Sequence, residues 1–417
     1  GWEVLSRIRK AQFGESILAG IVIALLAMVI DRITYGFAGK ESSEAEISDS
    51  YFYRHRYLVI GVAVAAVTFM LSAVIPALRE WPQEWVVYPA DPMNRWLENF
   101  ILNWSEIIGA LKTFAFFYIM LPVRVGLVDT ISPYSWGFEF TTALRIGYGL
   151  AIVLLAAWNA WRGRVTLALA ILFFGILIYF GLTKLSWLVL LMMAGALGYQ
   201  LGGYKLGLGA VAALGFIVLT GIWPQAMLSV YLCGIAVVIS FLVGGTIGIM
   251  ASEIDLVSRI VRPINDTLQT MPLFVILIPF VMIFKIGEFS ALLAVVAYAI
   301  VPAIRYTEHG LRNLPADVIE ASTCMGCTRW QLLIQVKLPL ALPVIMLGLN
   351  QTIMYAIAML VIAALVGTNG LGQQVYIGLG DGDFGVGIIA GIGMAIIAIV
   401  ADRFTQSWSA ARQAAFS

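Results

Sequence analysis

The sequence predicts an all-α, polytopic membrane protein, and three observations carry that prediction. Of its 417 residues, 61% are hydrophobic and 12% charged, with a mean hydropathy of +0.93, well outside the usual globular mixture. The apolar residues gather into runs long enough, or nearly long enough, to cross about 30 Å of hydrocarbon. Counting those runs puts most Lys and Arg on one side, as the positive-inside rule requires.

In chain order, Arg7, Arg9 and Lys10 precede an apolar run from Ser16 to Ile30. Signal peptides share that pattern, but no small-x-small cleavage site follows at once, so the run reads as a retained span. The chain begins at Gly1 rather than methionine, so further residues are expected before it. Apolar runs cover 13–30 and 57–78, with a solvated loop at 39–56 between them. Residues 81–106 carry Trp81, Trp85, Trp96 and Trp104 among prolines and charges, the composition of a helix lying in the membrane surface. Run 107–121 is short and contains Lys112, so a re-entrant or tilted segment is expected. Further runs lie at 141–160, 165–183, 185–200, 206–222, 226–250, 270–286, 289–304, 341–366 and 384–401. At about twenty residues each, that makes roughly eleven or twelve spans. The chain therefore divides into extra N-terminal helices (1–80), an interfacial or re-entrant region (81–140), accessory helices (141–222) and a core (223–417).

One polar stretch interrupts the core, RYTEHGLRNLPADVIEASTCMGCTRWQLLIQVKLPL at 305–340. It reads as two short helices around a glycine turn. Pro315 suits a first helical turn, where its missing N–H costs nothing, and Asp317 and Glu320 place negative charge near the positive helix end. The first helix passes through Ala321 and Ser322 and stops near Gly326. Thr328 with Gln331 makes a capping box that opens the second helix, and Pro339 is expected to end it. On this count the stretch lies on the same side as Arg162, Arg164, Lys205, Arg259, Arg262, Arg403 and Arg412, the cytoplasmic one. The glycine-rich segment 367–383, with Asp381 and Asp383, falls outside.

Glu320-Ala321-Ser322, then Gly326, then Val336-Lys337-Leu338-Pro339 resembles the EAA loop of ABC-importer permeases, the element that docks on the ATPase. LQTMPLFVILIPFVMIFKIG (268–287), NLPADVIEAS (313–322), QVKLPLALPVIMLGLNQT (335–352), GTNGLGQQV (367–375) and ADRFTQ (401–406) are similar to the glycine betaine, proline betaine and choline branch, which includes trimethylamine N-oxide carriers. Ser322 replaces the family's alanine with another small residue. The resemblance implies a type I importer transmembrane fold with extra N-terminal spans, in a bacterial inner membrane. It also implies cytoplasmic ATPase subunits holding ATP and Mg, an extracytoplasmic substrate-binding protein, and a second permease copy in a homodimer. Pro315, Asp317, Glu320, Ala321, Ser322, Gly326, Arg329, Lys337 and Pro339 would form the coupling site. Glu320 would cap and anchor the coupling helix, while Arg329 and Lys337 would offer charge to the partner.

Enzymatic constellations are missing from the sequence. Its only Gly-Lys, Gly39-Lys40, is followed by Glu41, so there is no phosphate cradle ending in Gly-Lys-Ser or Gly-Lys-Thr. No HExxH occurs, and two histidines give little general-base capacity. Cys324 and Cys327 have CxxC spacing, but with only His55 and His309 available a four-ligand zinc site is short of donors. Neither a metal nor a bound cofactor is expected. A net charge of +1 gives no sign of a nucleic-acid partner, whose backbone phosphates need clustered Lys and Arg; none is expected, and membrane lipid is the surrounding contact.

Polar residues at membrane depth mark a candidate path, because an unsatisfied polar group in hydrocarbon is costly. Asn350, Gln351, Thr352 and Tyr355 sit in one run, and Thr270, Met271 and Phe274 open another, where Pro272 and Pro279 either bend a gate helix or kink it for packing. Interhelical hydrogen bonding by Asn350 to Tyr355 stands equally open. Gly244 with Gly248 and Gly387 with Gly391 make small-xxx-small faces, for packing within the chain or at a dimer seam. The competing function is an ion-gradient-driven secondary transporter of a small zwitterion, which needs ionisable residues inside spans; Lys112 and Arg145 are the candidates.

Overall fold

A computed structural model describes residues 13–40, 56–72, 88–124, 141–180 and 186–414, and every regular element among them is helical. Residues 1–100 and 101–417 form two compact units. The first holds α1 (Phe13–Lys40), α2 (Arg56–Ser72) and most of α3 (Ala90–Asn103). The Asn94 side-chain oxygen accepts from the Gly14 N–H at 2.6 Å, satisfying one of the orphan donors at the start of α1. Trp96 stacks on Phe100 one turn later at 5.7 Å. The basic cluster at Arg7 to Lys10, His55, Trp81 and Trp85 lie outside the described residues.

The second unit contains α4 (Ser105–Arg124), α5 (Thr142–Trp161), α6 (Val165–Phe180), α7 (Trp187–Leu219), α8 (Trp223–Glu253), α9 (Asp255–Thr270) and α10 (Leu273–Phe284). After these come α11 (Glu288–Arg312), α12 (Ala316–Cys324), α13 (Arg329–Val366), α14 (Leu371–Asp381) and α15 (Phe384–Ala414). Seven of the described helices are long and apolar enough to cross a membrane, so the chain is an integral membrane protein. One of the seven, α7, is two arms. Gly202 and Gly203 leave helical geometry, Gly203 at φ 75°, and the chain folds back until a Cβ on Gly198 would lie 3.0 Å from the Gly207 Cα. The expected separate runs at 185–200 and 206–222 are those arms.

Segment 107–121 is longer than expected. Helical residues flanking the apolar run extend it to the twenty residues of α4, through a π-turn at Phe116–Met120, which reaches span length. Lys112 ties two helices together. Its amine donates at 3.0 Å to the carbonyl of Phe284, at the C-terminal end of α10 where unpaired carbonyls and the helix dipole favour a cation. Arg124 at the other end bonds both Glu288 oxygens at 3.0 Å. Arg145 is exposed near the start of α5.

The core is α8, α11 and α13. Within their apolar stretches 56% of α8 and 61% of α11 is buried, against 6% of α5, so α5 packs little against the rest of the chain. Close approach of α8 and α11 depends on residues without side chains. A Cβ at Gly244 would sit 2.8 Å from the Ala303 Cβ, and one at Gly248 would sit 2.7 Å from the Thr307 Cβ and 2.8 Å from the Ile304 carbonyl oxygen. Gly244 and Gly248 therefore form a seam within the chain. At the α14–α15 contact the tight position is Gly378, whose Cβ would lie 2.5 Å from the Gly387 nitrogen; one on Gly387 would make only ordinary contact at 3.6 Å, and Gly391 faces open space.

Contacts fix which helix ends share a side. The Arg312 guanidinium reaches the Ala251 carbonyl at 2.8 Å, bringing the ends of α8 and α11 together, and a Cβ on Gly202 would lie 3.1 Å from the Ser407 hydroxyl. Arg259, Arg262, Arg164, Lys205 and Arg403 thus lie at the end where 313–328 connects α11 to α13, and the positive-inside rule makes that end cytoplasmic. α9 and α10 are bent by 105° at Met271–Pro272, so Pro272 is the break. Pro279 lies inside α10.

Substitution Gly248→Val should force α8 from α11, an overpacking cost of about 1–3 kcal/mol, and lower the apparent melting temperature of the detergent-purified protein. The neighbouring Gly245→Ala, whose Cβ meets nothing within 4 Å, should leave it unchanged or slightly raised.

Candidate functional site

The cytoplasmic elbow is built from local chemistry. Pro315, extended at ψ 127°, is the residue before α12 rather than its first helical one, and Asp317 lies in the first turn. Gly326 ends the turn at φ 83°, a left-handed conformation that costs a residue with a Cβ roughly 1–2 kcal/mol. The capping box forms as expected: the Thr328 hydroxyl accepts from the Gln331 N–H at 3.4 Å, and the Gln331 side-chain oxygen accepts from the Thr328 N–H at 2.9 Å. No residue from Pro315 to Gln331 is buried. Two large apolar side chains stand in the open, Met325 at 86% and Trp330 at 70% exposure. Ala321 and Arg329 are also exposed, and the Ser322 hydroxyl donates to the Val318 carbonyl at 2.7 Å within α12.

Three expected roles change. Glu320 lies beyond the first turn of α12, exposed and without a side-chain partner among the described residues, so it does not cap the helix. Lys337 does not offer its charge outward; its amine pairs with Glu253 at the end of α8 at 2.5 Å and is 18% exposed. Pro339 does not end the second helix. A π-turn over Leu332–Lys337 precedes it, and such local adjustment absorbs a missing donor, so α13 continues unbroken to Val366.

Behind the elbow lies a brace that the sequence did not reveal. Glu308 of α11, 6% exposed, accepts from the Ser258 hydroxyl at 2.6 Å and from the Arg262 Nη2 and Nε at 2.9 and 3.2 Å. Arg312, one turn on, lies 3.3 Å from the same carboxylate and bonds Asp255 at 2.8 Å. The Arg312 hydrogen bond, and then its charge, hold the exposed Asp255 carboxyl below the usual carboxylate value. That contact is therefore intact at neutral pH and is lost only as pH falls through the depressed value. Arg305 pairs with Asp266 further along α9. The only forewarning was the i,i+4 spacing of Glu308 and Arg312; Ser258 and Arg262 lie about fifty residues away in sequence.

At membrane depth the four path candidates of α13 divide into a hydrogen-bonded pair and a pair on one face without such bonds. Asn350, 5% exposed, donates to Asp402 at 2.6 Å and accepts from the Thr405 hydroxyl at 3.1 Å. Thr352, fully buried, bonds the Gly348 carbonyl. These two hold α13 to α15 and to itself, as interhelical glue. Gln351 and Tyr355 point elsewhere. Both are half-buried, and neither side chain has a hydrogen bond among the described residues. Tyr355 stacks on Tyr298 of α11, centroids 4.7 Å apart and planes at 21°. Thr270 bonds back to the Asp266 and Thr267 carbonyls, and Met271 and Phe274 flank the Pro272 bend. No hydrogen bond or ring contact joins that corner to residues 350–355 among the described residues. A separate cleft of about 960 Å³, mostly apolar, opens between α6, α7, α13 and α15 beside Arg164, Phe173, Gln200, Met346 and Trp408; it includes none of the path candidates. No group of three or more His, Cys, Asp or Glu could hold a metal among the described residues, and Cys324 and Cys327 are free thiols.

Residues 244–409 match the family model described as binding-protein-dependent transport system inner membrane component. The glycine betaine transport system permease protein OpuAB of Bacillus subtilis is 44% identical over 48% of this chain and 72% of its own length. The glycine betaine/proline betaine transport system permease protein ProW of Escherichia coli is 38% identical over 52% of this chain. The trimethylamine N-oxide transport system permease protein TmoV of Ruegeria pomeroyi is 29% identical over 98% of it. The chain spans 62% of the length of the second and 54% of the third. Among solved structures, the MetNI methionine ABC transporter aligns over 47% of this chain at 22% identity with a TM-score of 0.41, a likeness too loose to transfer any contact.

The brace makes a testable demand. Glu308→Ala should leave Arg262 and Arg312 facing each other without their shared carboxylate and cost about 1–3 kcal/mol, seen as a lower melting temperature. Glu308→Gln, which can still accept from Ser258, should lose less.

Proposed function

Because this chain belongs to the inner-membrane components of binding-protein-dependent transport systems, we propose that it is the translocating subunit of an ATP-driven importer for small methylated-ammonium osmolytes. Glycine betaine, proline betaine, choline and trimethylamine N-oxide are the candidate solutes, in line with the names of its relatives. In this reading 223–417 is the permease core with a type I importer arrangement, and 1–80, 81–140 and 141–222 are additions to it. Two copies pair with two cytoplasmic ATPase subunits and take solute from an extracytoplasmic binding protein. ATP and Mg sit on the ATPase, and no residue of this chain has to bind nucleotide or break a bond.

The observation that carries the coupling role is the elbow. Met325 and Trp330 project beside the Gly326 turn on the basic side of the bundle, where burying them costs nothing in lipid contact and requires a soluble partner. Pro315, Asp317, Glu320, Ala321, Ser322, Gly326 and Arg329 form the docking face. Lys337 and Pro339 serve behind it, one as a brace to α8 and the other within the continuous α13. Closure of the ATPase dimer moves the elbow, α13 and the braced α8–α9 corner as one body, and the cavity opens outward to accept solute; hydrolysis resets it.

The substitution Gly326→Leu puts a side chain at a left-handed position facing open space. The protein should still reach the membrane, while solute-stimulated ATP hydrolysis of the reconstituted complex is abolished. Full stimulation would remove the docking assignment. Uptake that survives a hydrolysis-dead ATPase but collapses with the ion gradient would replace this reading with secondary transport.

A further inference from the structure

We propose that Tyr298, Tyr355 and Gln351 form a transit site for the methylated ammonium group and its anionic partner, a conclusion that rests on the importer reading above. Tyr298 lies midway along α11, ten residues from each of Glu288 and Glu308, and stacks on Tyr355 of α13. Gln351 is one turn below Tyr355 on the same face, about 6 Å away along the axis. The three side chains are half-buried. Neither hydroxyl nor the amide has a hydrogen-bond partner among the described residues, whereas the neighbouring Asn350 and Thr352 are satisfied and buried. Polar groups left unpaired in hydrocarbon are costly, so this half-buried face suits water or a polar solute.

The chemistry of the two helices narrows what that solute meets. Between Glu288 and Glu308 α11 has no acidic residue, and α13 has none from Arg329 to Val366. The carboxylates that reach these helices from outside, among them Asp266 on Arg305 and Asp402 on Asn350, are already paired, and the electron-rich ring faces are left to attract a cation passing between them. A quaternary ammonium sits favourably over a tyrosine face within about 6 Å of the centroid. The Gln351 amide can donate to a carboxylate or an N-oxide oxygen one turn away. Two stacked rings present an outer face and not an enclosing cage, which suits a step where solute must leave as readily as it enters.

The test uses the complete complex of permease, ATPase and binding protein in proteoliposomes, with radiolabelled glycine betaine and trimethylamine N-oxide as probes. Tyr355→Phe and Tyr298→Phe should keep uptake within about threefold of wild type, and the corresponding leucine variants should lower kcat/KM for uptake about tenfold, the range cation–π contacts span. Mono-, di- and trifluorophenylalanine at 355, nearly constant in volume, should lower uptake stepwise, which a packing role does not predict. This series decides the matter even if the leucine variants fail to assemble. A flat fluorine series in a complex that transports either probe overturns the tyrosine site and leaves the importer reading intact. A wild-type complex that hydrolyses ATP but moves neither these probes nor radiolabelled choline or proline betaine overturns the substrate class and this site with it.

Discussion

A polar side chain inside an apolar span has to find a partner in the protein or face water, and that constraint orders most of this structure. Lys112 meets it by capping α10, Arg124 by pairing with Glu288, and Asn350 by bonding Asp402 and Thr405. Each solution ties one helix to another, so the same bonds that relieve desolvation also set the packing. Among the described residues Gln351, Tyr355 and Tyr298 lack such a hydrogen bond and lie together between α11 and α13, while the Thr307 hydroxyl and the Gln225 side-chain oxygen are buried without one. A bundle of this kind has little hydrophobic force holding helices together, because lipid is as apolar as leucine. Close contact at Gly244 and Gly248 and a small number of polar bonds take its place.

The same logic explains why the cytoplasmic end is stiff just behind its most exposed part. Glu308 draws α9 and α11 together through Ser258 and Arg262, and Lys337 ties the start of α13 to the end of α8 through Glu253. The elbow from Pro315 to Gln331 contains no buried residue, yet both of its roots are clamped to the α8–α9 corner. A load applied at Trp330 or Met325 therefore passes into braced helices instead of being lost in a loose loop.

Local chemistry was legible from the sequence and long-range pairing was not. The Thr328–Gln331 capping box and the Gly326 turn depend on residues within a few positions of one another, and both form; the apolar runs are helical where they are described, but seven helices rather than eleven or twelve reach span length among the described residues. The importer family too was readable from the ordered motifs of 268–406. The end assigned to Pro339 failed because a π-turn leaves no compositional mark, and proline is tolerated where the ladder has already widened. Segment 107–121 looked too short because Ser105, Glu106 and Arg124 are polar, although they are helical. Lys337 looked like a free surface charge because its partner, Glu253, is 84 residues away. Asn350 and Gln351 are adjacent and similar in composition, so only the placement of α15 separates the glued face from the open one.

The unbroken course of α13 links the two candidate sites. From Arg329 at the elbow to Tyr355 is 26 residues, about 39 Å of helix at 1.5 Å per residue, with no loop between them. If Pro339 had ended a helix, movement of the elbow would have reached Tyr355 only through a flexible joint. Because the π-turn carries the chain past both Pro339 and Pro343 within one helix, the elbow and the Tyr355 ring belong to the same element. Its stacking partner Tyr298 belongs to α11, which the Glu308 brace and the Gly244–Gly248 seam tie to α9 and α8, while Lys337 ties α13 to α8. In the proposed importer a stroke that moves this braced group as one body would therefore carry both rings together and keep their stacked face intact.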